Sequence, residues 1–434
     1  MKLFDKMSDK LVVIADKVGR LLYINIIRDT FSLLMPLVIA GALCTLASNV
    51  ICSTTTAGPS LAKISSLAFL EDFTPIFTAI NFATLNFFAV AVAMMIGASL
   101  GAKRGLNSTV SSVVALASYI TVCSSTMNVT FGEETQVVSN VLSGDYTGSK
   151  GLFLAIIMGI VSVELLAKMI KSGKLAIHMP DMVPPNVTLA FQILFPACLT
   201  LLIISVFEFA VTSLTGMGLF ELIYSLVQVP LSSVVTGLPG ILLLMFVSQC
   251  FWMIGIHGNQ MISAIRDPLL TAAILANSEA FEKGLELPNT VNQAFWYVFM
   301  QNGGSGCTLG LIIAIFLVSK RQDHRAIAKL SLAPGIFGIN ETMTFGLPIV
   351  LNPLMAIPFI FTPLICGVIG YVATEIGFAA KMMYVVPWTT PPIINGWLAS
   401  AGDIGVLVTQ LICIAVSVIT YLPFVLMMNR QTVE

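Results

Sequence analysis

Charge is what this chain has least of. Lys, Arg, Asp and Glu together supply 10% of its 434 residues, against roughly 25% in a soluble domain. With 57% of residues hydrophobic, that scarcity excludes a conventional water-facing surface and points to an integral membrane protein with many spans. The net charge is −1, so the basic footprint of a nucleic-acid-binding protein is absent. Histidine is nearly missing: His178, His257 and His324 are all there are. No CxxC, HExxH, Walker loop or nucleophile triad occurs, so no metal, nucleotide cofactor or hydrolytic centre is expected. The eight cysteines (44, 52, 123, 198, 250, 307, 366 and 413) are scattered through apolar runs. They read as free membrane-buried thiols.

A solid apolar N-terminal core is also lacking. Lys2, Lys6, Lys10, Lys17 and Arg20 are spread along an amphipathic pattern that includes Leu11, Ile14, Val18 and Leu22. This is not a cleavable signal; residues 1–30 read as a helix on the cytoplasmic membrane face.

What is present is a succession of apolar runs, at about 31–51, 84–100, 108–126, 152–168, 188–213, 234–256, 295–319, 349–373 and 404–428. Lys103–Arg104, the Lys168/Lys171/Lys174 loop, the Lys320–Lys329 loop and Arg430 mark cytoplasmic ends and, with the basic N-terminus, put both termini in the cytoplasm. For the alternation to close, the stretch after His257 (GNQMISAIRDPLLTAAILANSEAFEKGLELPNT) must cross as well. The expected fold is an all-α polytopic membrane protein of about ten crossings with two re-entrant hairpins. The domains expected are the segment 1–30, a scaffold over 31–213, an amphipathic linker over 214–233, and a binding half over 234–434.

The hairpins are the two apolar stretches too interrupted to span. One is SLAPGIFGINETMTFGLPIVLNP, broken by Gly335, Gly338, Gly346, Pro334, Pro348 and Pro353. The other is AAKMMYVVPWTTPPIINGWLAS, with Pro387, Pro391 and Pro392. Irregular backbone at membrane depth is tolerated where it is buried in protein or lines a cavity, and broken helices are where transporters build their sites.

Glu341 sits inside the first hairpin, where a charge costs about +2.5 to +3.5 kcal/mol. Asn340 precedes it, and the pair can face a polar ligand; the alternative is a structural hydrogen bond within the hairpin. His257, in WMIGIHGNQ, is flanked by Gly255 and Gly258, which permit close backbone approach. Trp252 and Trp388 suit either interfacial anchoring or stacking on a sugar ring. The NGGSGCTLG loop reads as close helix packing, Glu208 as interfacial, and His178 and His324 as solvated loop histidines.

Taken in order, IRDTFSLLMPLVIAGAL, HMPDMVPPNV, FWMIGIHG, GGSGCTLGLIIAIF, KLSLAPGIFGINE, FGLPIVLNP, PWTTPP and YLPFVLMMNR resemble the membrane IIC component of bacterial sugar phosphotransferase systems (PTS), in the lactose/cellobiose/diacetylchitobiose family. The resemblance runs over essentially the whole chain. It implies a homodimer in the bacterial inner membrane, joined through the first five spans, with a β-linked disaccharide or related sugar bound near mid-membrane by the second half. By motif, Glu341 and His257 would hold the C6 hydroxyl that is phosphorylated, Asn340 would add a hydrogen bond, and Trp252 and Trp388 would pack on sugar rings. The phosphoryl donor would be a phosphocysteine on IIB, charged by IIA; with no soluble domain after Glu434, both are expected as separate polypeptides. One departure stands out: the family commonly has proline after the motif glutamate, and this chain has Thr342. Two other classes stay open. A proton-coupled secondary transporter would use Glu341 and His257 as a relay, and a membrane sensor would show no flux.

Overall fold

The computed structural model describes residues 20–55, 60–131, 134–177, 179–180, 182–347 and 349–429, with Val13 and Lys17. Most of the amphipathic segment expected over 1–30, together with His178 and Arg430, lies outside the described residues.

The chain forms two compact units. One joins Leu22–Leu37 to Phe82–Leu231; the other joins Val38–Asn81 to the chain from Ser232 onward. Residues 38–81 thus pack with the second half of the sequence, although the scaffold was expected as one continuous stretch over 31–213.

The first unit is built on helices Phe88–Lys103, Ser108–Thr121 and Leu152–Ser172. Small residues let them approach: a Cβ on Gly97 would come within 2.9 Å of the Ser111 carbonyl. Asn107 caps the second helix by accepting from the Val110 N–H, and Gly173, at φ +66°, ends the third in a left-handed cap. Arg104 and Glu164 pair at 2.5 Å. Glu208, expected at an interface, accepts from the Leu219 N–H at 3.1 Å and caps the next turn. One feature departs from an all-α fold. Thr126–Phe131 and Glu134–Ser139 pair as antiparallel strands in the polar stretch after residue 125. Alternating β-branched and polar residues favour that ladder over a helix.

The second unit holds the interrupted segments. Helix Leu238–Met253 is followed by helix Gly258–Glu282. The latter covers the stretch expected to cross; its 25 residues extend about 37 Å, against a bilayer core of about 30 Å. The span expected over 295–319 is broken instead. Helix Gln293–Phe299 stops, the chain turns through Gly303, Gly304 and Gly306 at φ +79°, +93° and +76°, and helix Thr308–Val318 resumes. Those angles are open to glycine and costly for other residues, so an apolar run that reads as one helix cannot be one. Helix Gln322–Ile336 and the short helix Glu341–Gly346 follow, then helices Pro353–Glu375, Ile394–Ala399 and Ile404–Met428. His324, expected to be solvated, is 5% exposed, because helix Gln322–Ile336 folds back onto helix Thr308–Val318. The core beneath contains Trp252, Leu311, Ile312, Met343, Phe359 and Tyr421.

Among the described residues, five helices are long and apolar enough to cross a membrane, and up to seven if each of two interrupted pairs counts as one span. Helix Gly258–Glu282 is not among them, since it carries Arg266 and Asp267 in its interior.

Candidate functional site

The site begins at a helix end. Gly255, at φ +82°, reverses the chain after helix Leu238–Met253. A Cβ on Gly258 would run into the Ser248 carbonyl, so the next helix starts close against the last one. His257 is its N-cap: Nδ1 accepts from the Gln260 N–H at 3.4 Å. That bond fixes the ring's chemistry. With Nδ1 as acceptor, the proton of a neutral imidazole resides on Nε2. Nε2 points to Glu341, 3.7 Å from Oε1. This is beyond hydrogen-bond range, and it leaves both groups able to reach one hydroxyl oxygen set to one side. The two side chains are 39% and 46% exposed.

Glu341 opens the short helix Glu341–Gly346. Thr342 beside it lies in the first turn, where no intrahelical partner is required of the N–H. Proline is accommodated in the same turn, so threonine there preserves the helix start.

Asn340 has another task. It is buried, and Nδ2 donates to the Ser305 carbonyl at 3.1 Å and to Thr344 Oγ1 at 2.9 Å. Its donors are engaged in clamping the Glu341 turn to the glycine loop. The loop glycines serve the same junction: a Cβ on Gly304 would meet the Gly338 carbonyl and the Asn340 side chain at 2.7–2.8 Å.

The two tryptophans separate. Trp252 is 1% exposed, with its ring 4.5 Å from the imidazole of His257 and 6.3 Å from Phe345. It is a floor under the histidine, with little surface left for a ligand. Trp388 is 49% exposed, and its carbonyl lies 3.2 Å from where a Cβ of Gly338 would be. The PWTTPP segment therefore seats directly on the Glu341 turn, and residues 47 positions apart in the sequence come to one place.

Further polar residues support the site. Asn259 accepts from Ser248 at 2.9 Å and from Gln301 at 3.0 Å, and donates to Ser305 Oγ at 3.0 Å. This ties the His257 helix to the glycine loop. Arg266 and Asp267 form a buried pair at 2.6 Å, with the guanidinium 5.1 Å from the ring centroid of Trp296. An adjacent Arg–Asp inside an otherwise apolar helix is the signal that marks it.

A helical membrane protein whose interrupted segments converge on an open carboxylate and an imidazole has the anatomy of a solute permease. Comparison with known proteins makes the class specific. The family "Phosphotransferase system, EIIC" matches residues 28–363. The chain is 31% identical over 430 residues to the oligo-beta-mannoside-specific EIIC component of Bacillus subtilis (strain 168), covering 99% of this chain and 94% of that one. It is 30% identical over 432 residues to the cellobiose-specific EIIC component of Geobacillus stearothermophilus, covering 98% and 94%. The crystal structure of ChbC, the IIC component from the N,N'-diacetylchitobiose-specific phosphotransferase system, superposes with a TM-score of 0.90 at 30% identity, covering 97% of this chain and 96% of ChbC. The chain belongs to the EIIC family of the phosphotransferase system.

Proposed function

We propose that this protein is the sugar-translocating subunit of a PTS, taking a β-linked disaccharide across the bacterial inner membrane and presenting its C6 hydroxyl to phospho-IIB. One observation carries the reading: Glu341 Oε1 and His257 Nε2 lie 3.7 Å apart on open faces, while the polar groups around them are engaged with one another. An accepting carboxylate beside a donating N–H suits a hydroxyl, which both gives and takes a hydrogen bond. Exposed Trp388 beside them supplies an apolar face for a sugar ring. The relatives' specificities for oligo-β-mannosides, cellobiose and diacetylchitobiose support a β-linked substrate.

In this reading Glu341 accepts the C6 proton as the hydroxyl oxygen attacks phosphorus. The P–S bond to the IIB cysteine breaks, a P–O bond forms, and the thiolate leaves. General-base help of this kind is worth about 10²–10⁴-fold. His257 holds the oxygen and does not change protonation. The expected architecture is a homodimer of about ten spans per chain with two re-entrant hairpins, served by cytoplasmic IIA and IIB components.

The test is uptake of labelled cellobiose, lactose and diacetylchitobiose by cells with and without a working phosphotransferase relay. Sugar 6-phosphate inside, only when the relay operates, is the expected result and names the substrate. Unmodified sugar inside, abolished by an uncoupler and indifferent to the relay, would instead make the Glu341–His257 pair a proton relay.

A further inference from the structure

Gln410 lies on helix Ile404–Met428, is fully buried, and takes no direct part in the site. Its Oε1 accepts from the Ile393 N–H at 2.8 Å. Its Nε2 is within hydrogen-bond distance of the Val298 carbonyl (2.9 Å), Asn302 Oδ1 (3.2 Å) and Asn395 Oδ1 (2.9 Å), which share its two N–H groups. A buried primary amide with four partners is costly to leave unmet, so its neighbours are held tightly in place.

The residue it holds is strained. Ile393 has φ +73° and ψ −51°, an outlier for a β-branched side chain and close to the rare γ-turn region. Such geometry persists only where the surroundings over-determine it, and it concentrates at functional sites. Ile393 directly follows PWTTPP and so sets the direction in which the Trp388 segment leaves its short helix. On the other side, Asn302 leads into the glycine loop that clamps Asn340 and therefore Glu341.

We infer that Gln410 is a positioning residue for sugar recognition: one buried amide holds the strained turn at Ile393 and the start of the glycine loop, and so fixes Trp388 relative to Glu341. The inference rests on the sugar-site reading above. In that role, loss of the amide lets the turn at Ile393 relax and moves Trp388 off the sugar while the Glu341–His257 pair stays intact. Binding falls and the chemical step does not.

The test compares wild type, Gln410→Met, Ile393→Gly and the double variant, each as the full chain in membranes supplied with phospho-IIB, using cellobiose as the probe. Gln410→Met should raise KM about ten-fold, the loss of roughly one good hydrogen bond to the ring or its equivalent, with kcat little changed. Amide exchange of the 384–399 peptide, measured without sugar, should accelerate. Glycine adopts the Ile393 conformation without strain, so the double variant should recover most of the wild-type KM. A merely structural role for Gln410 predicts the reverse pattern: stability falls, kcat and KM move together or not at all, and Ile393→Gly adds to the damage. If Gln410→Met fails to accumulate, restoration of accumulation by Ile393→Gly supports the inference, and its absence overturns it. Glu341→Gln, assayed alongside, separates the two readings. Loss of activity there with a normal KM in Gln410→Met sinks only the positioning role. Wild-type behaviour in Glu341→Gln sinks the sugar site itself.

Discussion

At the scale of single residues, His257 has two functions that substitution can separate. Asparagine is a good N-cap, so His257→Asn keeps the start of helix Gly258–Glu282 while withdrawing the Nε2 that faces Glu341. Thermal stability should stay near wild type and sugar binding should fall. His257→Ala removes both, adding about 1 kcal/mol of lost capping, and a thermal-shift comparison of the two variants checks this. Glu341→Gln replaces a charged acceptor with a neutral one at an open position; the lost interaction is worth about 1.5–3 kcal/mol, so titration calorimetry should show affinity down about ten-fold or more. Asn340→Ala should behave differently, although the residue is adjacent. It strands the buried Ser305 carbonyl, at a cost of about 1–3 kcal/mol, and the loss should appear as a lower melting temperature whether or not sugar is present. Sequence alone placed Asn340 and Glu341 in one role because it shows only adjacency. The structure parts them, since one side chain faces the glycine loop and the other faces the imidazole.

At the scale of elements, periodicity carries the helices that are apolar throughout, such as Leu152–Ser172 and Ile404–Met428. Proline spacing carries the interruption at 387–392. The break at Met300–Cys307 was not legible, because its glycines stand in a run apolar enough to mimic a continuous span; the positive φ values and the contact with Asn340 are properties of the tertiary fold. Helix Gly258–Glu282 was legible only through the orientation of its neighbours, since Arg266 and Asp267 depress its hydropathy until their pairing is seen. The burial of His324 had no sequence signal, as its flanking charges Arg321, Asp323 and Arg325 look like a solvated loop. That burial has a pH consequence. Desolvation, aided by Arg321, lowers the His324 pKa below its ordinary value of 6.5. A base with a depressed folded pKa binds fewer protons folded than unfolded, so its contribution is complete above the unfolded pKa and is lost as pH falls from about 6.5 through the folded value. Melting temperature should therefore drop between pH 7.5 and 5.5, and His324→Gln should flatten the difference.

At the scale of the whole molecule, the cysteines bear on where the phosphoryl group resides. Cys52, Cys123, Cys307, Cys366 and Cys413 are buried, and Cys44 and Cys250 are half-buried. Cys198 alone is exposed, and it lies in helix Pro185–Thr215, which is long and apolar enough to cross a membrane. On such an apolar helix a doubly charged phosphothiolate would be prohibitively costly, whether it faced lipid or a second copy of the chain. The cysteines of this chain are therefore poorly placed to carry phosphate, which accords with the proposed delivery of the group by IIB. The consequence is testable in proteoliposomes. The purified protein alone should bind cellobiose or its preferred sugar and form no sugar phosphate. Addition of phospho-IIB on the cytoplasmic side should produce sugar 6-phosphate and one-way accumulation, because on the proposed reading the charged product no longer suits a site that pairs one hydroxyl with Glu341. Cys198→Ser should do this at the wild-type rate. Phosphate appearing on the chain itself, or a loss of turnover in Cys198→Ser, would put the carrier in this polypeptide. Accumulation of free sugar without IIB, driven by an imposed proton gradient, would show that the Glu341–His257 pair moves protons.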